Sequence, residues 1–413
     1  MKNQRLAIIS YHTCPLSDHS SREIGGMNTY VLELAKALSS QGYTIDIFTR
    51  MQDKNSPKIV DVSENLRVIH LPAGESISIS KKKLIKYTEE FLRNFYEFVK
   101  EEELEYCLIS SHYYLSGLIG LAIKAKFNIP LFVTFHTLGI MKNLVAREEE
   151  EREDVERIKI ELSLVEKADK IIATGKRDAQ YIEALYNCPK VKIATISPGV
   201  DFDVFHPLDK NEAKKHIQAD MQDKLILFVG RLEPLKGIDT LLYAMKILLE
   251  KNLGFNVCLW IVGGDVSEDE KKWSKELKKL EQIRKLLHIG AVVRFVGKRQ
   301  REDLPYYYNA SEIVVLPSQY ESFGITALEA MACATPVITT DVAGVSQLFD
   351  EKLATLITTA NNPILLASKM KQLLVNDDEH KKISQEVFEK VQNLSWGHVA
   401  QNFIAILHEC AMV

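Results

Sequence analysis

Glu321 and Glu329 stand eight positions apart around a Phe323-Gly324 step, directly after the apolar run Glu312-Ile-Val-Val-Leu-Pro-Ser318. The run predicts a buried strand, Ser322-Phe323-Gly324 a tight turn, and Thr326 to Ala332 the first turns of a helix. One carboxylate then lies on a loop at a strand's carboxyl end and the other about one turn into the helix. Open α/β sheets bind ligands at that place, and exposed helix amides favour an anion there. Taken alone, the two acids suggest an acid/base pair. The segment Phe228-Val-Gly-Arg-Leu-Glu-Pro-Leu-Lys-Gly237 changes that reading, because it sets Arg231 and Lys236 between a strand end and the next helix. Two cations beside a helix amino terminus suit a diphosphate, Arg as a planar fork and Lys as a point charge. Near the amino terminus, Gly25-Gly26-Met27-Asn28 precedes the helical pattern Thr29 to Leu38. Glycines there allow close backbone approach by a phosphate or diphosphate.

The elements that must position these residues read as a repeated strand-helix alternation. Apolar, β-rich runs occur at Leu6 to Ser10, Thr44 to Arg50, Arg67 to Leu71, Tyr106 to Ser111, Leu131 to His136 and Lys170 to Thr174. After the turn-forming stretch Ser197-Pro-Gly-Val-Asp-Phe-Asp-Val-Phe-His-Pro207 the pattern resumes, at Leu225 to Gly230, Val257 to Val262, Val292 to Gly297, Ile313 to Pro317 and Val337 to Thr340. This predicts an α/β chain of two doubly wound domains facing one another across a linker near residue 200. The 413 residues fit two domains, each with ample core.

A formal net charge of −4 with no extended basic face argues against nucleic acid as the main partner. The run Leu6-Ala-Ile-Ile9 is too short for a signal peptide, and no stretch approaches the roughly 20 apolar residues of a membrane span, so cytoplasmic residence is expected. Six cysteines without metal-type spacing read as reduced, small core residues. The acidic run Glu148 to Asp154 reads as a solvated loop or helix start.

The ensemble Gly-Gly-Met-Asn, Ser-Pro-Gly-Val-Asp, Gly-Arg-Leu-x-Pro-x-Lys-Gly and Glu-Ser-Phe-Gly-x-Thr-x-Leu-Glu-Ala-Met-Ala resembles the retaining GT-B glycosyltransferases of family 4 over almost the whole chain. Its amino-terminal half is most similar to the D-inositol-3-phosphate glycosyltransferases of the mycothiol type, with sucrose-phosphate synthases as neighbours. The resemblance implies two Rossmann-like domains. Residues 1–199, with a returning helix 395–413 anchored by Trp396 and capped by Ser395, would bind the acceptor, and residues 200–394 the nucleotide sugar.

For the donor, the resemblance implies that Arg231 and Lys236 clamp the diphosphate, with Gly25 and Gly26 beside it. Glu329 would take the ribose hydroxyls, while Glu321 and the amides of Ser322, Phe323 and Gly324 would hold the sugar and the distal phosphate. Arg294 and Val296 would flank a uracil, making UDP-GlcNAc or UDP-glucose the donor, with ADP and GDP as alternatives. His136 would lie near the donor sugar. Transfer would be front-face with retention, the departing diphosphate taking the acceptor proton, with no protein nucleophile, no metal and no further cofactor.

For the acceptor, Lys81, Tyr113, Thr137 and Arg157, together with Asn28, would bind the phosphate of a small phosphorylated polyol or sugar. Fructose 6-phosphate is the rival acceptor; UDP-GlcNAc epimerisation and non-catalytic nucleotide-sugar binding are the rival functions. Family relatives are often homodimers.

Overall fold

Each parallel strand needs a crossover long enough to return the chain to the same edge, and a helix supplies it. The computed structural model describes residues 4–17, 25–251, 253–267, 269–342 and 344–411. Its first sheet has eight strands: β1 Arg5–Ile9, β2 Thr44–Arg50, β3 Ile59–Ser63, β4 Leu66–Leu71, β5 Leu108–His112, β6 Leu131–Thr134, β7 Lys170–Ala173 and β8 Ile193–Thr195. The order is β3-β4-β2-β1-β5-β6-β7-β8, and only the β3–β4 pair is antiparallel. The second sheet is wholly parallel: β9 Lys224–Val229, β10 Val257–Val262, β11 Val293–Gly297, β12 Ile313–Leu316, β13 Val337–Thr340 and β14 Ile357–Thr358. Its order, β11-β10-β9-β12-β13-β14, is the doubly wound order in which the winding reverses between the first and fourth strands.

The reversal fixes where a ligand can sit. Helices leave the two central strands toward opposite faces, so a crevice opens at their carboxyl ends. In the second sheet those strands are β9 and β12, followed by the Gly230–Gly237 and Ser318–Gly324 loops. In the first sheet they are β1 and β5. The central strands are buried on both faces; Leu6, Ala7, Ile8, Ile9, Val314 and Val315 are all without exposure.

The chain passes between the domains twice, at neighbouring points. Val200 forms a parallel bridge with Ser395, and a side chain at Gly199 would collide with the backbone of Trp396. Beyond this double crossing, the helix Trp396–Ala411 packs on the helix Gly26–Ser40. Trp396, Val399, Ala400, Phe403 and Leu407 join Tyr30, Leu34, Leu38 and Phe132 in one apolar cluster. The Trp396 ring meets Tyr30 edge-on at 5.5 Å, and Ser395 Oγ accepts from the His398 amide at 3.3 Å. No helix among the described residues is long and apolar enough to cross a membrane.

Candidate functional site

The β9 loop begins at Gly230 and ends at Gly237, whose φ of +63° belongs to the left-handed region. A side chain at Gly237 would overlap the Pro317 carbonyl at the end of β12, so the two loops are locked edge to edge. Within them Arg231 is held by Glu233 at 2.7 Å, and Lys236 is ion-paired to Glu321. Glu321 therefore has a cation, and Glu329 has a different neighbour. Glu329 lies buried on the helix Ile325–Ala332 and accepts the Tyr308 hydroxyl at 2.8 Å. Burial raises its carboxyl above the usual range.

Gly324, at φ +98°, lets the chain turn into that helix. The turn is backed by the segment Gly344–Leu348, where the Gly344 amide reaches the Glu321 carbonyl at 3.2 Å and the Val345 amide the Phe323 carbonyl at 2.9 Å. Ser322 and Phe323 are buried in this turn. Arg294 stands apart from this cluster, exposed on the edge strand β11 with its guanidinium over the Trp260 ring at 4.8 Å. Val296 is half-buried one residue before the strand's end.

The first domain meets these loops directly. A Cβ on Gly25 would come within 3.2 Å of Arg231 Nε, and one on Gly26 within 3.6 Å of Ile325. Ser322 Oγ donates to the His136 carbonyl at 2.6 Å, and Tyr320 Oη accepts the Leu138 amide at 3.0 Å. His136 has φ +60°, uncommon for any residue but glycine, and its ring is bonded to His112 at 2.9 Å. Asn28 is buried, donating to Thr13 Oγ1 at 2.9 Å and the Cys14 carbonyl at 2.7 Å, while its Oδ1 has no partner among the described residues.

Lys81, Tyr113, Thr137 and Arg157 come from four separate segments and converge. Arg157 donates to Tyr113 Oη at 3.0 Å, to Thr137 Oγ1 at 3.1 Å and to the Thr137 carbonyl at 2.7 Å. Lys81 Nζ lies 5.4 Å from the centre of the Tyr113 ring. Tyr113 itself sits at φ +78°, ψ +157°, a region nearly confined to glycine and worth about 1–3 kcal/mol of strain. Arg157 is 2 % exposed and also pairs with Glu161 at 2.8 Å and Glu153 at 3.0 Å, so its guanidinium is already fully engaged.

Several residues whose types carry no motif signal share this space. His12 is buried three residues past the end of β1 with its ring 4.5 Å from Tyr113, and its Nδ1 has no partner among the described residues. Burial, then the cations Lys81, Arg157 and Arg231 together with His136, hold it well below the usual histidine range. Burial alone would raise the Glu233 carboxyl, but Arg231, Lys236, Lys81 and Lys142 outweigh it and hold the group low. The available signal was a histidine just after a β-rich run: Leu6-Ala-Ile-Ile-Ser-Tyr-His12 and Leu108-Ile-Ser-Ser-His112 both end that way.

The acidic run is not simply solvated. Glu153 is largely buried between Lys142 and Arg157, and Glu148 reaches across to Lys275 and Lys279 of the second domain at 3.7 and 3.8 Å.

Comparison with known proteins agrees with this architecture. Residues 24–204 match the model for Glycosyltransferase Family 4 and residues 209–390 the model for glycosyl transferases group 1. The D-inositol 3-phosphate glycosyltransferase of Corynebacterium efficiens is 32% identical over 408 residues, 98% of this chain and 95% of its own. That of Corynebacterium jeikeium is 33% identical over 400 residues, 96% and 94% of the two chains. Among solved structures, sucrose-phosphate synthase from Thermosynechococcus elongatus superposes with a TM-score of 0.90 at 30% identity, over 99% of both chains. Anabaena HepE, solved in complex with UDP and glucose, shares the fold at a TM-score of 0.74 and 17% identity, over 98% of this chain and 99% of its own. With two facing doubly wound sheets, two family models matched in order and relatives about a third identical along nearly the whole length, the chain belongs to the family 4 glycosyltransferases of GT-B fold.

Proposed function

We propose that the protein transfers GlcNAc or glucose from a UDP-sugar, with retention of configuration, to a small phosphorylated acceptor such as inositol phosphate. The observation that carries the acceptor half is the convergence of Lys81, Tyr113, Thr137 and Arg157 on the cleft wall opposite Arg231 and Lys236. The names of the relatives, D-inositol 3-phosphate glycosyltransferase and sucrose-phosphate synthase, support a phosphorylated acceptor. The UDP complexes of a fold neighbour are consistent with the donor.

In this reading, Arg231 and Lys236 exchange Glu233 and Glu321 for the donor diphosphate and stabilise the charge that builds on it as the glycosidic bond breaks. The released Glu321 turns to the sugar hydroxyls, and the unshared oxygen of Glu329 to the ribose. Ser322, Phe323 and Gly324 offer their amides, Gly25 and Gly26 admit the diphosphate, and Val296, near the carboxyl end of β11, flanks the base, while Arg294, stacked on Trp260 earlier in that strand, stands back from it. His136 lies beside the sugar. The acceptor phosphate replaces Glu153 against Arg157, with Lys81 above it and Asn28 at the rim. With no carboxylate pair evident in the sequence as nucleophile and acid, the departing diphosphate takes the acceptor's proton. Division at residues 199/200, return of residues 395–413, cytoplasmic residence and a homodimer belong to the same proposal.

The test is release of UDP, ADP or GDP from UDP-GlcNAc, UDP-glucose, ADP-glucose and GDP-glucose against D-inositol 3-phosphate, fructose 6-phosphate and their unphosphorylated forms. Release only with phosphorylated acceptors, and a Lys81→Ala variant with acceptor KM raised roughly tenfold, is the expected result. Equal release with inositol or fructose would remove the acceptor pocket. Donor binding without release under any condition would favour a nucleotide-sugar-binding protein.

A further inference from the structure

His136, near the proposed donor sugar, is held by a chain of buried side chains. From the end of β5, His112 Nδ1 lies 2.9 Å from His136 Nε2, and Ser110 Oγ lies 3.3 Å from His112 Nε2. His112 has no exposure, the two rings stack with centres 5.1 Å apart and planes 29° from parallel, and Tyr30 packs edge-on against His136 at 5.1 Å. The His136 backbone is fixed as well, at φ +60° and by Ser322 on its carbonyl.

A neutral imidazole has one N–H and one lone pair, and a partner on one nitrogen decides which form the other presents. Burial presses His112 down to about 3, and burial with the neighbouring His112 keeps His136 well below the usual range. Both shifts favour the neutral form of the rings, and a 2.9 Å contact between two ring nitrogens requires one to donate and the other to accept.

From this geometry we propose that His112 is a positioning residue, which engages Nε2 of His136 and so leaves Nδ1, in a single fixed tautomer, to face the sugar during transfer. Ser110 closes the chain by satisfying the far nitrogen of His112. The inference rests on the reading of His136 given above.

The experiment combines three variants with a spectroscopic measurement on the unaltered protein. His112→Phe keeps the ring volume without a partner atom, His112→Gln restores one, and His136→Asn removes the ring itself. With UDP-GlcNAc and D-inositol 3-phosphate, His112→Phe is expected to lower kcat roughly 10- to 100-fold with donor KM little changed. His112→Gln should recover most of that loss, which a purely structural role would not predict. Histidine nitrogen NMR should show His136 as one neutral tautomer in the unaltered protein and as an averaged pair in His112→Phe. Averaging already in the unaltered protein, or a His112→Phe variant as active as it, would overturn the proposal, and the first result needs no variant to fold. Impaired His136→Asn beside unimpaired His112→Phe would sink this proposal alone. Fully active His136→Asn would sink the reading of His136 and the proposal with it.

Discussion

At the scale of single residues, the two acids that look like a catalytic pair in the sequence divide by environment. Glu321 is half-exposed and neutralised by Lys236, so in the proposed cycle it changes partner when the diphosphate takes the lysine. Glu329 is buried and fixed by Tyr308 before any ligand arrives, which makes it a preorganised acceptor. In the proposed cycle Glu329 meets the ribose, which is unchanged between ground and transition states, so it contributes equally to both, whereas Glu321 meets the sugar on which charge develops and so contributes to the barrier. Glu329→Gln is thus expected to raise donor KM about tenfold or more, the worth of a charge-assisted hydrogen bond, with kcat within about threefold. Glu321→Gln should lower kcat by about tenfold or more at nearly constant donor KM. Steady-state kinetics with donor varied at saturating acceptor separates the two, and a fall in kcat for Glu329→Gln with unchanged KM would reverse the assignment. The sequence could place both acids on their loop and helix, but it could not give them partners. Tyr308 and Lys236 lie 21 and 85 positions away from them, and only the fold brings those together.

At the scale of elements, the strands that were legible are those buried on both faces, because only there must every residue be apolar. β1, β9, β10 and β12 read as nearly continuous apolar runs for that reason, while β2, Thr-Ile-Asp-Ile-Phe-Thr-Arg, carries buried polar residues among its apolar ones. The strands that escaped are marginal ones: β3 Ile59–Ser63 is an edge with no fully buried position, β8 is three residues long and β14 two. Edges carry polar residues and short runs as protection, which removes the pattern that would reveal them.

Strand ends hide function in the same way, since His12 and His112 sit where a polar residue looks like a terminator. Their burial has a consequence for stability. Both histidines have folded pKa values below the ordinary 6.5 or so, and the unfolded chain therefore binds more protons than the native one as pH falls below that value. Their contribution to stability is complete above about pH 6.5 and is lost on acidification at about 1.4 kcal/mol per pH unit each. Asp178, buried and raised to about 6, works in the opposite direction, gaining as pH falls from 6 toward its unfolded value. The histidine losses, which buried His136 joins, outweigh the gains from Asp178 and from Glu329, whose carboxyl burial raises, and leave a net decrease between pH 6.5 and 4.5. Urea denaturation at the two pH values measures it, and His112→Gln should flatten the difference. Equal or greater stability at pH 4.5 would mean that these rings are solvated or paired in the native state.

At the scale of the whole molecule, residues 139–154 form one of the links between the proposed acceptor wall and the second domain, beside the contacts of Ser322 with His136 and of Tyr320 with Leu138. Its acceptor side carries Lys142 and Glu153, which pair with each other, and Glu153 pairs with Arg157. On its far side Arg147 bonds both Asp239 and Asn361, with Glu148 against Lys275 and Lys279. Opening the cleft must break the second set and thereby loosen the first, so domain closure and acceptor-pocket geometry are coupled through this strap. The double crossing at Val200 and Ser395 is the natural pivot, since it holds the domains together while leaving the cleft edge to the strap. Each strap contact is partly exposed, and such pairs contribute about 0.2–1 kcal/mol apiece and weaken with salt. Arg147→Ala removes two contacts, so the closed form should lose roughly two- to tenfold in population. Acceptor KM should rise by a similar factor while donor KM stays within about twofold, because the donor loops are locked to one another by Gly237 and Pro317 independently of the strap. Water admitted by the more open cleft should raise donor hydrolysis relative to transfer. About 0.5 M salt should have the same effects on the unaltered protein and little further effect on the variant. Small-angle scattering gives the population directly: an unchanged radius of gyration in Arg147→Ala, with acceptor KM also unchanged, would show that closure is set at the pivot and that the strap only follows it.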